Sequence, residues 1–114
     1  MEMNTEEEAE YMRELDEIYK AFPNAKFSIA IPYNEMDNIV SLKQQIFITY
    51  SRSCCCHLKP LDTQIFRINS INPITNRIIL KQLISQNLDI KCNHHFLEGF
   101  QKLNENTFDI IAGS

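Results

Sequence analysis

The sequence predicts an α+β fold: one small domain in which an antiparallel sheet of about three to five strands packs against helices. The chain has 114 residues, the usual length of one domain, and 44% of them are hydrophobic, as in ordinary globular proteins. Apolar residues recur with helical spacing near the N-terminus and at two places in the C-terminal half, and β-branched or alternating segments lie between them. The predicted organisation is an acidic amphipathic helix over residues 1–22 and an α+β core over residues 23–114, in one domain overall.

The N-terminal amphipathic helix is predicted to begin at Thr5, where Thr5 and Glu8 form a capping box, and to end at Pro23. Two interpretations of its apolar stripe stay open: the stripe packs across the domain's own sheet, or it binds a partner protein or a second copy of the chain. The candidate interaction residues are those of the stripe: Tyr11, Met12, Leu15, Ile18, Tyr19 and Phe22.

Three strands are predicted in the first half of the core. Residues 27–31 alternate apolar and polar side chains and end at Pro32. Residues 45–50 and 64–69 are rich in β-branched and aromatic side chains, which favours strands that are covered on both faces. The simplest topology joins these last two strands as a hairpin.

The first of two helices in the C-terminal half is predicted to begin at Asn72 and Pro73, since Asn is a good cap and Pro suits the first helical position. Its wide apolar face predicts that it is the central core helix, and the helix is expected to end near residues 86–87. A short strand or an extended link follows over residues 88–92.

The second of these helices is predicted to begin at Asn93. Its apolar stripe would consist of Phe96, Leu97, Phe100 and Leu103. Residues 107–111 are predicted to form the last strand.

Charge is unevenly distributed along the chain. Residues 1–22 contain eight acidic and two basic side chains, a net charge of −6, whereas residues 23–114 have a net charge of +2. This difference favours docking of the helix on a basic surface, either its own or that of a neighbour. Neither part has the strong basic patch of a typical nucleic-acid-binding protein, so nucleic acid is not an expected partner.

Several classes of site and location are disfavoured by composition. Gly99 and Gly113 are the only glycines, which excludes a glycine-rich phosphate-binding loop. No apolar run reaches the roughly 20 residues of a membrane span, so no membrane association is expected. The acidic N-terminus does not have the pattern of a secretory signal, and an intracellular location, cytoplasmic or nuclear, is therefore expected.

Two short runs contain all four cysteines and all three histidines: "SRSCCCH" at residues 51–57 and "KCNHH" at residues 91–95. Cys and His are the preferred ligands of zinc, and two distant runs are a common way to build a tetrahedral site. A plausible set is Cys54, Cys56, Cys92 and His94, or a set that uses His57 or His95. The Cys-x-Cys and Cys-x-His spacings are less specific than the Cys-x-x-Cys spacing of known zinc modules.

Two other interpretations of these runs compete with zinc binding. Cysteine is among the most buried residue types, so the triplet at residues 54–56 can simply continue a strand into the core. Alternatively, Cys92 can act as a thiol nucleophile next to His94 at a helix start. No recognisable catalytic signature surrounds these residues, so no catalytic residue is predicted, and no bound cofactor is expected.

The function that fits these observations is a non-enzymatic, intracellular protein–protein interaction module that associates with itself as a dimer or larger. The alternative is a zinc-binding or thiol-dependent activity centred on residues 54–57 and 92–95.

Overall fold

The α+β class is confirmed by the computed structural model, which describes residues 5–51, 63–90 and 96–113, with only the backbone for Tyr11 and Ser51. In chain order the elements are α1 (Thr5–Ala21), β1 (Ser28–Ile29), a 3-10 helix (Tyr33–Glu35), β2 (Ile39–Ser41), β3 (Gln45–Ser51), β4 (Thr63–Asn69), β5 (Ile74–Thr75), α2 (Asn76–Ser85), β6 (Phe96–Lys102) and β7 (Thr107–Gly113). The predicted N-terminal helix and the strands at 45–50, 64–69 and 107–111 are therefore present.

The main sheet has five strands in the order β1-β6-β7-β3-β4, and β2 and β5 form a second, two-stranded sheet. The pair β3–β4 is antiparallel with Ser51 opposite Thr63, as the hairpin prediction requires. The prediction of a purely antiparallel sheet is wrong, because β7 lies parallel to β3 and β1 lies parallel to β6. The sheet is mixed because the C-terminal β6–β7 hairpin pairs with β3 on the side that β4 leaves open.

The core helix α2 begins three residues later than the Asn72–Pro73 prediction. Ile74 and Thr75 instead pair with β2, and Thr75 caps the helix by accepting a hydrogen bond at Oγ1 from the backbone N–H of Ile78. The predicted end is confirmed. Asn87 adopts a positive φ of 64°, and Leu88 N–H bonds to Leu83 O in the manner of a Schellman motif.

The predicted second helix of the C-terminal half is wrong, because residues 96–102 form strand β6. An irregularity between Leu97 and Gly99 adds one residue to this strand relative to β7. As a result Leu97 and Phe100, three residues apart, both contact the core. The bulge thus gives a strand the apolar spacing of a helix. Its predicted cap, Asn93, lies outside the described residues.

The core lies between one face of the main sheet and the elements packed against it. Leu83 of α2 and Ile18 of α1 belong to it, together with side chains from every strand of the main sheet. In the described parts of the chain, no polar or charged side chain is buried. The core therefore positions α1 and α2 on the same side of the sheet.

The opposite face of the main sheet is partly exposed. In β3, Ile46 and Ile48 are buried, whereas Phe47 is only half-buried, and in β4 Ile65 is 66% exposed. Within one chain, residues 45–50 and 64–69 are covered on one face only, because each strand buries one alternating set of side chains. After α2, Asp89 makes an isolated parallel bridge to Lys26, in agreement with an extended link over residues 88–90.

Candidate interaction surfaces

Helix α1 is anchored to the domain by its C-terminal half. Ile18 and Phe22 are buried in the core. The carboxylate of Glu14 accepts a hydrogen bond of 2.8 Å at Oε1 from the backbone N–H of Tyr33 in the 3-10 helix. Two of the predicted interaction residues therefore pack within the domain itself.

The rest of the apolar stripe has a different environment. Met12 is 57% exposed, Tyr19 is 66% exposed and Leu15 is half-buried, while the side chain of Tyr11 lies outside the described part of the structure. Leu15 is three residues after Met12 and four before Tyr19, so the three side chains are neighbours on one flank of the helix. This flank is available for contacts beyond the domain.

An apolar cleft of about 290 Å³ lies beside this flank, between α1 and the segment that contains β1. We call it the α1 cleft. Helix α1 contributes Leu15 and Ile18, and Glu14 lies at its edge. The opposite wall consists of Ile29, Ala30, Ile31 and Pro32, with Phe96 of β6. Among the described residues that line it, the cleft is formed by aliphatic and aromatic side chains with a single charged group, that of Glu14.

Negative charge surrounds the α1 cleft on the helix side. Glu8 lies four residues before Met12 and seven before Leu15, which places it on the same flank, and it is exposed. Glu14 lies at the edge of the cleft. Residues 5–21 contain seven acidic and two basic side chains, a net charge of −5. The arrangement can accept an apolar side chain whose neighbours are cationic.

A second surface is the exposed side of the main sheet, which we call the outer sheet face. The register places Ile65, Thr49 and Asp109 in one row across β4, β3 and β7, and places Arg67, Phe47 and Thr107 in the next. Ile111, two residues beyond Asp109 on β7, is 42% exposed. Thr49 donates a hydrogen bond of 2.7 Å from Oγ1 to Asp109 Oδ1 within this face.

The outer sheet face has charges of opposite sign at opposite corners. Arg67 lies on the edge strand β4 and is exposed. Glu98 lies on β6, and a side chain at Gly113 would collide with its carboxylate, which places Glu98 on the same face as Ile111. The face therefore combines apolar side chains with one positive and one negative corner.

The cluster around Arg77 joins the 3-10 helix to α2. Its Nε donates to Asp37 Oδ1 at 2.9 Å, and its guanidinium carbon lies 5.6 Å from the centroid of the Tyr33 ring. The hydrogen bond from Arg77, assisted by its charge, lowers the pKa of Asp37 below 3.8, and the same pair raises the pKa of Arg77. Both partners are used within the domain, so we assign this cluster a structural role.

The two Cys/His runs lie outside the described residues, and with them the candidate zinc ligands Cys54, Cys56, Cys92 and His94. Among the residues that the structure describes, no group of His, Cys, Asp and Glu is placed to hold a metal ion. The adjoining strand ends are described. Ser51 and Thr63 face each other, and Phe96 pairs with Gly113 at the same end of the sheet.

The separation of these strand ends bears on the zinc hypothesis. Continuing the parallel register of β3 and β7 places Ser51 beside Ile111. Phe96 is then two strands and two residues away from Ser51, which corresponds to roughly 12 Å between their Cα atoms at ordinary sheet spacings. The zinc hypothesis requires residues 54–57 and 92–95 to converge. The separation of the described strand ends does not contradict this requirement. Zinc binding stays an alternative hypothesis, which the described residues do not test.

Comparison with known proteins does not assign this fold to a family. No family model, no curated protein and no solved structure matches the chain. Neither helix of the described segments is long and apolar enough to cross a membrane. The function must therefore be argued from the surfaces themselves.

Sequence reasoning located only part of these surfaces. The exposed flank of α1 belongs to the predicted stripe, but the β1 wall of the cleft and the outer sheet face were not identified. The alternation of residues 63–69 contains the needed signal, since Ile65 and Arg67 share one face and Phe66 and Ile68 share the other. Which face is buried depends on where the helices pack, and the alternation does not specify that.

Proposed function

We propose that this protein is a non-enzymatic, intracellular protein–protein interaction module that pairs with a second copy of itself through the outer sheet face. The observation that carries the proposal is the exposure of Ile65 and Ile111 on a sheet face whose charged corners have opposite signs. An exposed apolar patch with a polar rim is typical of an interaction site. A self-complementary patch is what a two-fold symmetric dimer requires.

The free edge of the sheet is a less suitable site for self-association than its face. In the edge strand β4, the side chain of Gln82 bonds to both the backbone N–H and the backbone O of Asn69, at 3.0 and 2.6 Å. Gln86 donates to the backbone O of Arg67 at 2.9 Å. These two side chains, one from α2 and one from its C-terminal cap, occupy the backbone groups that an added strand needs. Covering an edge strand in this way is a common protection of sheet edges.

The positions of the four key side chains favour one mode of pairing. Arg67 and Ile65 lie near one corner of the outer sheet face, and Glu98 and Ile111 lie near the opposite corner. A two-fold axis along the sheet diagonal exchanges these corners and corresponds to orthogonal packing of two sheets. It places Ile65 against the Ile111 of the second copy and Arg67 against its Glu98.

The size of the face predicts a weak dimer. Four strands of seven residues cover roughly 20 Å by 20 Å at ordinary sheet spacings, so the two copies together bury about 800 Å². This area is at the low end for protein–protein interfaces, where complexes are transient. We expect a dissociation constant in the micromolar range rather than the nanomolar range.

Sedimentation equilibrium of the wild type and two matched variants tests the proposal. Ile65→Lys introduces an unpaired charge into the proposed interface and should remain monomeric where the wild type dimerises. Ile39→Lys is the control, because Ile39 is 58% exposed but lies on the separate β2–β5 sheet. The proposal is wrong if the wild type stays monomeric up to about 1 mM, or if Ile65→Lys dimerises as the wild type does.

The charged corners provide a second, independent test. Arg67→Glu and Glu98→Arg should each weaken dimerisation, since each places like charges opposite one another. The double variant restores opposite charges and should recover most of the wild-type association. If the double variant is weaker than both single variants, the diagonal arrangement is wrong.

A further inference from the structure

We infer that the α1 cleft is a second binding site, which accepts a basic amphipathic segment of another protein. The inference concerns a different surface from the proposed dimer interface and does not depend on self-association. It rests on the shape of the cleft, on its apolar walls and on the charge of the flank that borders it.

The size and chemistry of the cleft fit side chains better than a small molecule. Its volume of about 290 Å³ is at the lower limit of small-molecule pockets, which usually measure about 300–1,000 Å³. Its walls are aliphatic, with Phe96 at one side, and supply few hydrogen-bonding groups to orient a polar ligand. One or two large apolar side chains of a peptide would fill it.

The charge around the cleft determines the kind of peptide. Glu8 is exposed on the flank that contains Met12 and Tyr19, Glu14 lies at the edge of the cleft, and α1 as a whole has a net charge of −5. A segment that inserts apolar side chains beside Leu15 brings its neighbouring residues within reach of these carboxylates. Lysine or arginine at those positions is therefore favoured, and acidic residues are repelled.

The same charge argues against a symmetric pairing of the α1 helices of two copies. If two copies packed their α1 helices together, each would bring a net charge of −5 to the contact. Nucleic acid and anionic membrane surfaces are disfavoured for the same reason. A basic peptide segment is the partner for which both the apolar walls and the acidic flank are favourable.

The spacing of the exposed side chains limits the length of the segment. Met12 and Tyr19 are seven residues apart, about 10 Å along the helix axis. An amphipathic segment of two turns, or an extended one of a few residues, spans this distance and can offer two apolar anchors. Binding in this manner is a common mode of peptide recognition.

The experiment begins with selection from a displayed library of random peptides of about twelve residues on the wild-type protein. Ala30 is exposed and lines the cleft, so a tryptophan at this position should fill it. Peptides that also bind the Ala30→Trp variant therefore bind elsewhere and are removed. We expect a consensus with two apolar residues and at least two lysines or arginines. An acidic or uncharged consensus, or no enrichment, overturns the inference.

Fluorescence anisotropy with the best peptide then compares two single substitutions that change the net charge equally. Glu8→Lys alters the cleft flank, whereas Glu6→Lys alters the opposite side of α1. At about 150 mM salt the first substitution should weaken binding at least fivefold and the second less than twofold. Equal losses would mean non-specific attraction and would overturn the inference.

Two further results separate this site from the proposed dimer interface. Ile65→Lys should bind the peptide with wild-type affinity, even if it no longer dimerises. Ala30→Trp should dimerise like the wild type and lose the peptide by at least about tenfold. If Ala30→Trp keeps its circular dichroism spectrum but loses dimerisation, the cleft belongs to the second copy and the inference is wrong.

Discussion

The carboxylate of Glu14 accepts a hydrogen bond of 2.8 Å from the backbone N–H of Tyr33, which joins the middle of α1 to the 3-10 helix. Tyr33 in turn lies under the guanidinium of Arg77, at the start of α2. The bond therefore connects α1, through Tyr33, to the start of α2. It also fixes the wall of the α1 cleft at Pro32.

Glu14→Ala should lower the free energy of unfolding by about 1–2 kcal/mol, because it leaves a part-buried backbone N–H without its charged acceptor. Glu17→Ala is the control: Glu17 lies one turn further along α1 and is exposed, and its loss should cost less than about 0.5 kcal/mol. Chemical denaturation measures both. Equal destabilisation by the two substitutions would show that helix charge, and not the bond to Tyr33, is responsible.

The core helix offers a graded test of packing. Leu83 is fully buried, and Leu83→Ala should destabilise the protein by about 2–5 kcal/mol, the usual cost of a large cavity. Ile78 is only half-buried, so Ile78→Ala should cost clearly less. Thermal or urea unfolding of the two variants shows which substitution destabilises the protein more. If Ile78→Ala proves the more damaging, the orientation of α2 on the sheet is wrong.

The sequence predicts elements well where one local signal dominates. The stripe and the Pro23 stop define α1, and β-branched residues define β3 and β4. Prediction failed for β6 because a bulge at Leu97–Gly99 spaces the apolar side chains as a helix would. Gly99 within the run was the available signal, since glycine inside a strand often marks a bulge.

Strand direction and surface exposure depend on the whole fold. Nothing local to Thr107 or Phe47 specifies that β7 lies parallel to β3, because that pairing joins residues sixty positions apart. Met12 and Tyr19 are exposed whereas Ile18 is buried, because they lie on different sides of α1 and one side packs against the domain. Periodicity identifies a stripe, but only the packed structure divides it into a buried half and an available flank.

Asp37 and Arg77 give a prediction about acid stability. The pKa of Asp37 is lowered in the folded protein by its hydrogen bond to Arg77, assisted by the positive charge, whereas an unfolded chain has the ordinary value of 3.8. The contribution of the pair to stability is therefore complete above about pH 4 and is lost as the pH falls through the folded pKa. Titration by carboxyl NMR should place the midpoint of Asp37 below 3.8.

Arg77→Met should move the Asp37 midpoint up towards its ordinary value, because the donor and the charge are both removed. Arg67→Met is the matched control, since Arg67 lies on the outer sheet face and not beside Asp37. A midpoint that does not respond to Arg77→Met would assign the lowered pKa to some other group.

The last prediction concerns the cysteine and histidine runs at residues 51–57 and 91–95. We expect protein purified without added metal or a histidine tag to contain no stoichiometric zinc, and its melting temperature to be unchanged by a chelator. Zinc binding is coupled to folding, so a zinc site would make melting sensitive both to the chelator and to Cys92→Ser, and the two effects would not add. Native mass spectrometry would report the metal content and the number of subunits in one spectrum. One zinc ion per chain that is absent from Cys92→Ser would contradict the prediction and would show that the two runs form one zinc site.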